Sequence, residues 1–473
     1  MSERINYLIE KFKEPKHVVL LFILLTPLFL ILAWVPRLSY VGLLAWVVLL
    51  SLFIISYQHP EILILLFVIY RCSSELFAGG YHKLTEFISP GSFDIFPMDV
   101  LILVLIAVAA LKRGIFLKKG ALQKHNLEHL SVLYCLFGVL AILRGFQRGD
   151  TDLFFYYRLY GFSLLAISLP VIVNTPKKLY NLVMSMIVVN GIVGIVILIK
   201  EVILGKVYLY YLSVNATFNL FCISILLSLF FSQRKNLWYK IAVYLFLPLA
   251  IILLIVDHSR KQYYGLLVVI ILTMLVNFRK LFSKRGIATA LLITVTVLLL
   301  ALASGGIMMP YFSRVYTRAT RLRWQEESGL LWRVHAIKFV STEVIKRYPI
   351  LGFGTGENRE LRTRMFRSRP VGARTNPAIN PHNMYMTIMI LGGMLGLSFF
   401  IYFQILILRR GWTVCKKESG RLKAISTGFL LGLLVYLGYM SFEGFGIFSM
   451  PELWFYAGLI LSAYNIHVRK LRL

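Results

Sequence analysis

A histidine, His382, stands in "NPAINPHNMYMTIMILGGMLGL", where polar chain gives way to an apolar run. An imidazole titrates near about 6.5, so one placed at a water–lipid boundary can accept a proton from a hydroxyl at neutral pH. Just before it, "ENRELRTRMFRSRPVGARTNP" carries Arg359, Arg362, Arg364, Arg367, Arg369 and Arg374 and no lysine. Lysine would serve equally for generic surface charge, whereas the guanidinium fork suits phosphate and carboxylate oxygens. Two readings stay open for this cluster: attraction to anionic headgroups, or recognition of an anionic lipid-linked substrate. Further upstream, Arg333 lies in "WRVHAIKFVSTEVIKRYPILGFGTG", and Arg260 and Lys261 lie in "DHSRKQYYG". Arg260 could snorkel at an interface, pair with Asp257, or hold a phosphate from a short, rigid helix connection.

The elements that must position these residues are membrane helices. The chain is 58% hydrophobic with mean hydropathy +0.75, and its apolar residues come in blocks of roughly 18–22, long enough to cross a bilayer. Spans are expected at about 18–35, 38–56, 61–77, 98–112, 129–143, 155–173, 179–203, 212–232, 239–256, 262–278, 287–307, 383–408, 424–442 and 452–467. That is about fourteen, or about twelve if the third and fifth, trimmed by Arg71 and Arg144, are set aside. The first block reads as a retained span, because "WVPR" is no small-residue cleavage site.

The formal net charge of +30 would point to nucleic acid in a soluble protein. Here orientation accounts for most of it, and no nucleic-acid partner is expected. With the amino terminus inside, the inward connections include "KRGIFLKKGALQKH", "SQRKN", "NFRKLFSKRG" and "RRGWTVCKKESGRLK", and both termini are cytoplasmic. The outward connections are short, apart from a nearly neutral one at 73–97 and the long segment 308–382. That segment holds about fourteen Lys and Arg against about five acids, on the side where positive charge is normally sparse. The organisation expected is therefore helices 1–11 over residues 1–307, one large extracytoplasmic loop over 308–382, and helices 12–14 over 383–473.

Within the loop, Leu331, Val334, Ile337, Phe339, Val340, Val344 and Ile345 give an amphipathic helix over 330–347, with Trp332 at the interface and Tyr348-Pro349 as its end. "GFGTG" follows a proline-terminated helix and not a strand, so it reads as a turn that re-aims the chain and not as a nucleotide loop. Cys72, Cys135, Cys222 and Cys415 are scattered, with no metal-knuckle spacing and no expected disulfide.

"PHNMYMTIMILGGMLGL" resembles the His-Asn motif of the O-antigen ligase and polymerase superfamily: His382, Asn383, Tyr385, Met386, then Gly393 and Gly396. "WRVHAIKFVSTEVIKRYPILGFGTG" is similar to that family's Arg-led helix ending in Pro-x-x-Gly-x-Gly, and "HSRKQYYG" to its Ser-Arg-Gly element. The likeness covers roughly Asp257 to Leu397. It departs at Leu391 and Gly392, where an acid is common, and at Lys261, where glycine is usual; Glu443 is a conceivable acidic partner for His382.

The resemblance implies an all-α polytopic membrane protein, GT-C-like, in a bacterial cytoplasmic (inner) membrane with its site on the periplasmic face. It implies transfer of a glycan from an undecaprenyl-diphosphate carrier to an acceptor hydroxyl, inverting, with no cofactor and no metal. His382, Arg260 and Arg333 would be catalytic. Arg260, Lys261, Arg333, Arg359, Arg362, Arg364, Arg374, Asn383 and Tyr385 would bind diphosphate or substrate. Partners would be the lipid-linked donor, a glycan or lipid A-core acceptor, the bilayer, and a chain-length regulator. A polymerase is the first reading, a ligase the alternative. A flippase is more distant, because it should keep its outer loops short and its charges in a central cavity.

Overall fold

The computed structural model describes residues 59–73, 97–118, 126–147, 160–204, 213–232, 242–256, 260–276, 328–354, 367, 383–439 and 450–471. Every regular element among them is helical: α1 Pro60–Ser73, α2 Pro97–Lys118, α3 Asn126–Phe146, α4 Ser163–Ile172, α5 Pro176–Leu204 and α6 Ser213–Phe231. A π-helical turn, Ala242–Phe246, leads into α7 Leu247–Val256; α8 is Arg260–Val276; α9 Ser328–Phe339 continues through a π turn at Val340–Ile345. The chain closes with α10 Met384–Lys417, α11 Gly420–Tyr439 and α12 Met450–Lys470. The expected spans at 18–35, 38–56 and 287–307 lie outside the described residues.

Three described helices, within Pro176–Val196, Met384–Lys417 and Gly420–Gly438, are long and apolar enough to cross a membrane, and shorter apolar helices accompany them. This is an all-α membrane-embedded protein. Many leucines, isoleucines and valines stay exposed on the bundle's outside, among them Leu136, Val139 and Leu143 on α3 and Leu267 and Leu275 on α8. Lipid is the solvent in which such a surface is stable.

The centre is α12. From Leu453 to Ala463 its apolar side chains are buried on every side, the pattern of a helix surrounded by others. Its Trp454 packs on Tyr134 of α3 and on Phe400 and Phe403 of α10, with centroids 5.7, 6.0 and 5.2 Å apart. Where hydrocarbon surrounds the bundle, packing and buried hydrogen bonds hold helices together. Thus α11 approaches α6 closely at Gly428, where a Cβ would lie 2.6 Å from the Ile225 Cα. Ser224 Oγ donates to the Gly428 carbonyl there at 2.8 Å. A second tie runs from Asn190 Nδ2 on α5 to Asn219 Oδ1 on α6 (2.9 Å), and from Asn219 Nδ2 to the Ala250 carbonyl on α7 (2.7 Å).

One end of the bundle is closed by charged groups. Glu418, between α10 and α11, lies 2.8 Å from His467 Nδ1 and 3.1 Å from Lys470 Nζ. Arg469 Nη1 donates to the Asn174 carbonyl between α4 and α5 at 3.0 Å.

Two expectations need correcting. The run at 383–408 is not one straight span: α10 extends to Lys417 and breaks at Gly393, whose φ of 63° and ψ of −161° are not helical. The loop helix buries Ala336, Phe339, Val340 and Val344, whereas Val334 and Ile337, expected on its apolar side, are exposed. At 3.6 residues per turn Val334 lies on the side opposite Ala336, Phe339 and Val340, so the apolar positions do not share one face.

Candidate functional site

The break in α10 is a reversal. Tyr385 and Phe400 are fifteen residues apart, roughly 22 Å along a straight helix, yet their ring centroids are 6.1 Å apart. A Cβ on Gly396 would lie 3.9 Å from the Ile388 carbonyl oxygen. The segment is therefore a helical hairpin: a short limb, 384–392, folded back on a long limb, 394–417. Gly393 makes the turn in a left-handed conformation that L side chains rarely adopt, whereas a Cβ on Gly396 would meet no more than an ordinary contact. The first glycine of the His-Asn motif's pair thus has a structural reason.

Breaking a helix leaves backbone groups without partners at both cut ends. The 349–354 loop supplies them. At the start of the long limb, Met394 N–H donates to the Pro349 carbonyl (2.8 Å) and Leu395 N–H to that of Ile350 (3.2 Å). At the end of the short limb, the Ile390 carbonyl accepts from Phe353 N–H (2.6 Å) and Gly354 N–H (3.3 Å). The third consecutive carbonyl of the loop, at Leu351, accepts from Arg144 Nη1 at the end of α3. The described part of "GFGTG", residues 352–354, is thus a turn, as the sequence implied, with positive φ at Gly352 (69°) and Gly354 (95°).

This docking fixes the loop helix. Ala336, Phe339, Val340, Val344 and Phe353 form a small separate core against Met386 and Ile390 of the short limb. Arg333 is one turn before Ala336, so its helix packs on the short limb, whose Asn383 cap follows His382 in the sequence. Asn383 begins the limb, with Oδ1 accepting from Met386 N–H at 3.1 Å, an N-cap. Tyr385 OH donates to the Leu437 carbonyl of α11 at 2.8 Å. Both residues, expected to touch substrate, have structural partners of their own.

Arg260 and Lys261 open α8. Five residues on, Gly265 faces Val435 of α11, 3.7 Å from a Cβ there. Arg260's helix therefore begins toward the end of α11 that receives Tyr385. For Arg260, Lys261 and Arg333 the structure describes the backbone alone. His382, Arg359, Arg362, Arg364 and Arg374 lie outside the described residues, as does Glu443, and Arg367 is exposed.

Two contributors escaped the sequence reading. Arg144 was counted only as a residue that shortens a span, although an arginine ending an apolar run is the same signal that singled out Arg260. Tyr160, whose hydroxyl would lie 3.2 Å from a Cβ on Gly392, carries no local signal at all.

A search of curated proteins finds no match. The O-antigen ligase family model matches residues 244–401. That stretch takes in the π turn before α7, α8, the Arg333 helix, the docked loop and the hairpin. The features that family spans and the packing just described coincide: residues 244–401 are an O-antigen ligase-type domain, which supports the O-antigen ligase and polymerase superfamily for that part of the chain.

Proposed function

We propose that the chain is a surface-polysaccharide polymerase. It moves a glycan from a polyprenyl-diphosphate carrier to the hydroxyl of another lipid-linked glycan, on the extracytoplasmic face of a bacterial cytoplasmic membrane. The observation that carries this reading is the packing of the Arg333 helix on the short limb that follows His382, with the α8 end that bears Arg260 toward the same end of α11. In the reaction, the acceptor oxygen attacks the anomeric carbon as the bond to the diphosphate oxygen breaks, with inversion. His382 takes the acceptor's proton. Arg260 and Arg333 stabilise the negative charge that develops on the departing diphosphate, which is worth most in a poorly hydrated site. Lys261, Arg359, Arg362, Arg364 and Arg374 add positive potential for the lipid-linked anion, and Asn383 and Tyr385 hold the limb. Arginine takes the part a divalent metal plays in other glycosyltransferases.

The test is reconstitution in proteoliposomes with purified polyprenyl-diphosphate glycan, EDTA present, and acceptors varied one at a time. The expected product is a ladder of lengthening glycans that survives chelation. His382→Ala and Arg260→Ala should abolish it while the protein stays folded. Product only on a lipid A-core acceptor would make the chain a ligase, which the name of the matching family favours. Activity lost on chelation and restored by one divalent ion would overturn the metal-free mechanism, and glycan crossing the bilayer with no new glycosidic bond would make it a flippase.

A further inference from the structure

We propose that Arg144 is a positioning residue for the transfer, locking the 349–354 loop across the helical hairpin and so holding the Arg333 helix against the limb that follows His382. The proposal rests on the transferase reading above. Arg144 lies outside the family-matched residues and 207 positions from Leu351, whose carbonyl its Nη1 meets. An arginine in the last turn of a helix is ordinarily a partner for that helix's own dipole. Here the guanidinium is taken by another element, the 349–354 loop that lies against the end of α3.

The geometry shows why a side chain is needed at that point. Three loop carbonyls come in succession, and the first two are taken by Met394 and Leu395 N–H. At Gly352 the chain turns through a positive φ, and the third carbonyl is met by a side-chain donor. A charged donor to a carbonyl makes one of the stronger hydrogen bonds available. The same end of α3 also receives the loop sterically: a Cβ on Gly354 would lie 3.1 Å from both the Ala141 carbonyl oxygen and Arg144 Cβ. Phe137 of α3 packs at a tilt on Phe399 of the long limb, with ring centroids 4.9 Å apart. The loop is therefore gripped from two sides, by backbone groups of the hairpin and by the end of α3.

The proposal is tested on the full chain in nanodiscs with polyprenyl-diphosphate glycan as donor. Three quantities are measured: donor affinity and stoichiometry, the single-turnover rate per bound donor, and hydrogen–deuterium exchange in peptides covering 348–354 and 390–396. In Arg144→Ala, exchange should rise in those two peptides while α5 and α6 stay protected, and donor stoichiometry should not change. The rate per bound donor should fall roughly 10- to 100-fold, the range for losing a hydrogen bond to a charged group. A merely smaller folded fraction would lower stoichiometry and leave that rate alone. Arg144→Lys keeps a charged donor and should recover to within about tenfold of the parent. Wild-type rate per bound donor in Arg144→Ala overturns the proposal, and so does slowed turnover with unchanged exchange, which would place Arg144 on the substrate. If the parent protein forms no glycosidic bond with any donor, that failure belongs to the transferase reading. Raised exchange then supports the clamp by itself, and unchanged exchange overturns it.

Discussion

Replacing Gly393 by alanine puts a methyl group where the hairpin and the loop meet. At φ 63° and ψ −161° the new Cβ would fall inside contact distance of the Ile350 carbonyl and the Gly352 amide nitrogen, both backbone atoms without a flexible end to move. Holding a non-glycine residue in that conformation costs about 1–3 kcal/mol. Relief requires the loop to lift, which breaks bonds among the four that join it to Ile390, Met394 and Leu395. Losing two, at about 0.5–1.5 kcal/mol each, adds about 1–3 kcal/mol. The total, about 2–6 kcal/mol, lowers the docked population roughly 30-fold to more than 10⁴-fold. Gly396→Ala is the control: its Cβ meets only the Ile388 carbonyl oxygen at 3.9 Å, an ordinary contact, and it should be near neutral. The assay is hydrogen exchange over 348–354 with transfer activity on the same samples. A Gly393→Ala protein with parental exchange and parental transfer would refute the reasoning. Equal damage from Gly396→Ala would move the constraint from the turn to the contact between the limbs.

Tyr385→Phe removes the hydrogen bond to Leu437 and keeps the ring against Phe400. Its expected effect is a loss of about 1 kcal/mol in stability, read from thermal melting, with transfer reduced by no more than about tenfold; abolished transfer would mean that the hydroxyl touches substrate. At the charged end of the bundle, burial acts to raise the Glu418 pKa, but hydrogen bonds from His467 and Lys470 outweigh it and hold the carboxyl below its ordinary value. A depressed carboxylate contributes stability above its unfolded pKa and loses it as pH falls through the folded one. Melting temperature should therefore drop as pH is lowered through and beneath the ordinary carboxylate range, and Glu418→Gln should flatten that drop.

Helices that cross the bundle were legible because their apolar runs have a membrane's length. The run expected at 179–203 is α5, Pro176–Leu204, and that expected at 262–278 is α8, Arg260–Val276. The hairpin was not, because hydropathy is blind to φ: residues 383–408 are apolar whichever way the chain turns. The adjacent glycines of "ILGGMLGL" were the available signal, since glycine is unfavourable in a helix interior. The buried side of the loop helix was misjudged at Val334 and Ile337 because apolar residues there are spread round the helix, and only the side holding Ala336, Phe339 and Val340 meets protein. Arg144 could be seen as an oddly placed charge, but its partner lies 207 residues away, and no local pattern contains that distance.

The hairpin also explains how a histidine can precede an apolar helix without the helix crossing the bilayer from that point. A limb of about nine residues is too short to be stable alone or to span. It persists because Asn383 caps its start, the loop satisfies the carbonyl at its end, and Ala336, Phe339 and Val340 cover Met386 and Ile390. Every one of these supports except the cap comes from the loop segment or depends on its docking. The short limb sets Met384, Ile388 and Leu391 in the main core and offers Met386 and Ile390 to the Arg333 helix, whose own buried side chains cluster there. Chemistry that needs an imidazole and a guanidinium in fixed relation is served by such packing. The main core fixes the limb, and the smaller cluster fixes the Arg333 helix on it.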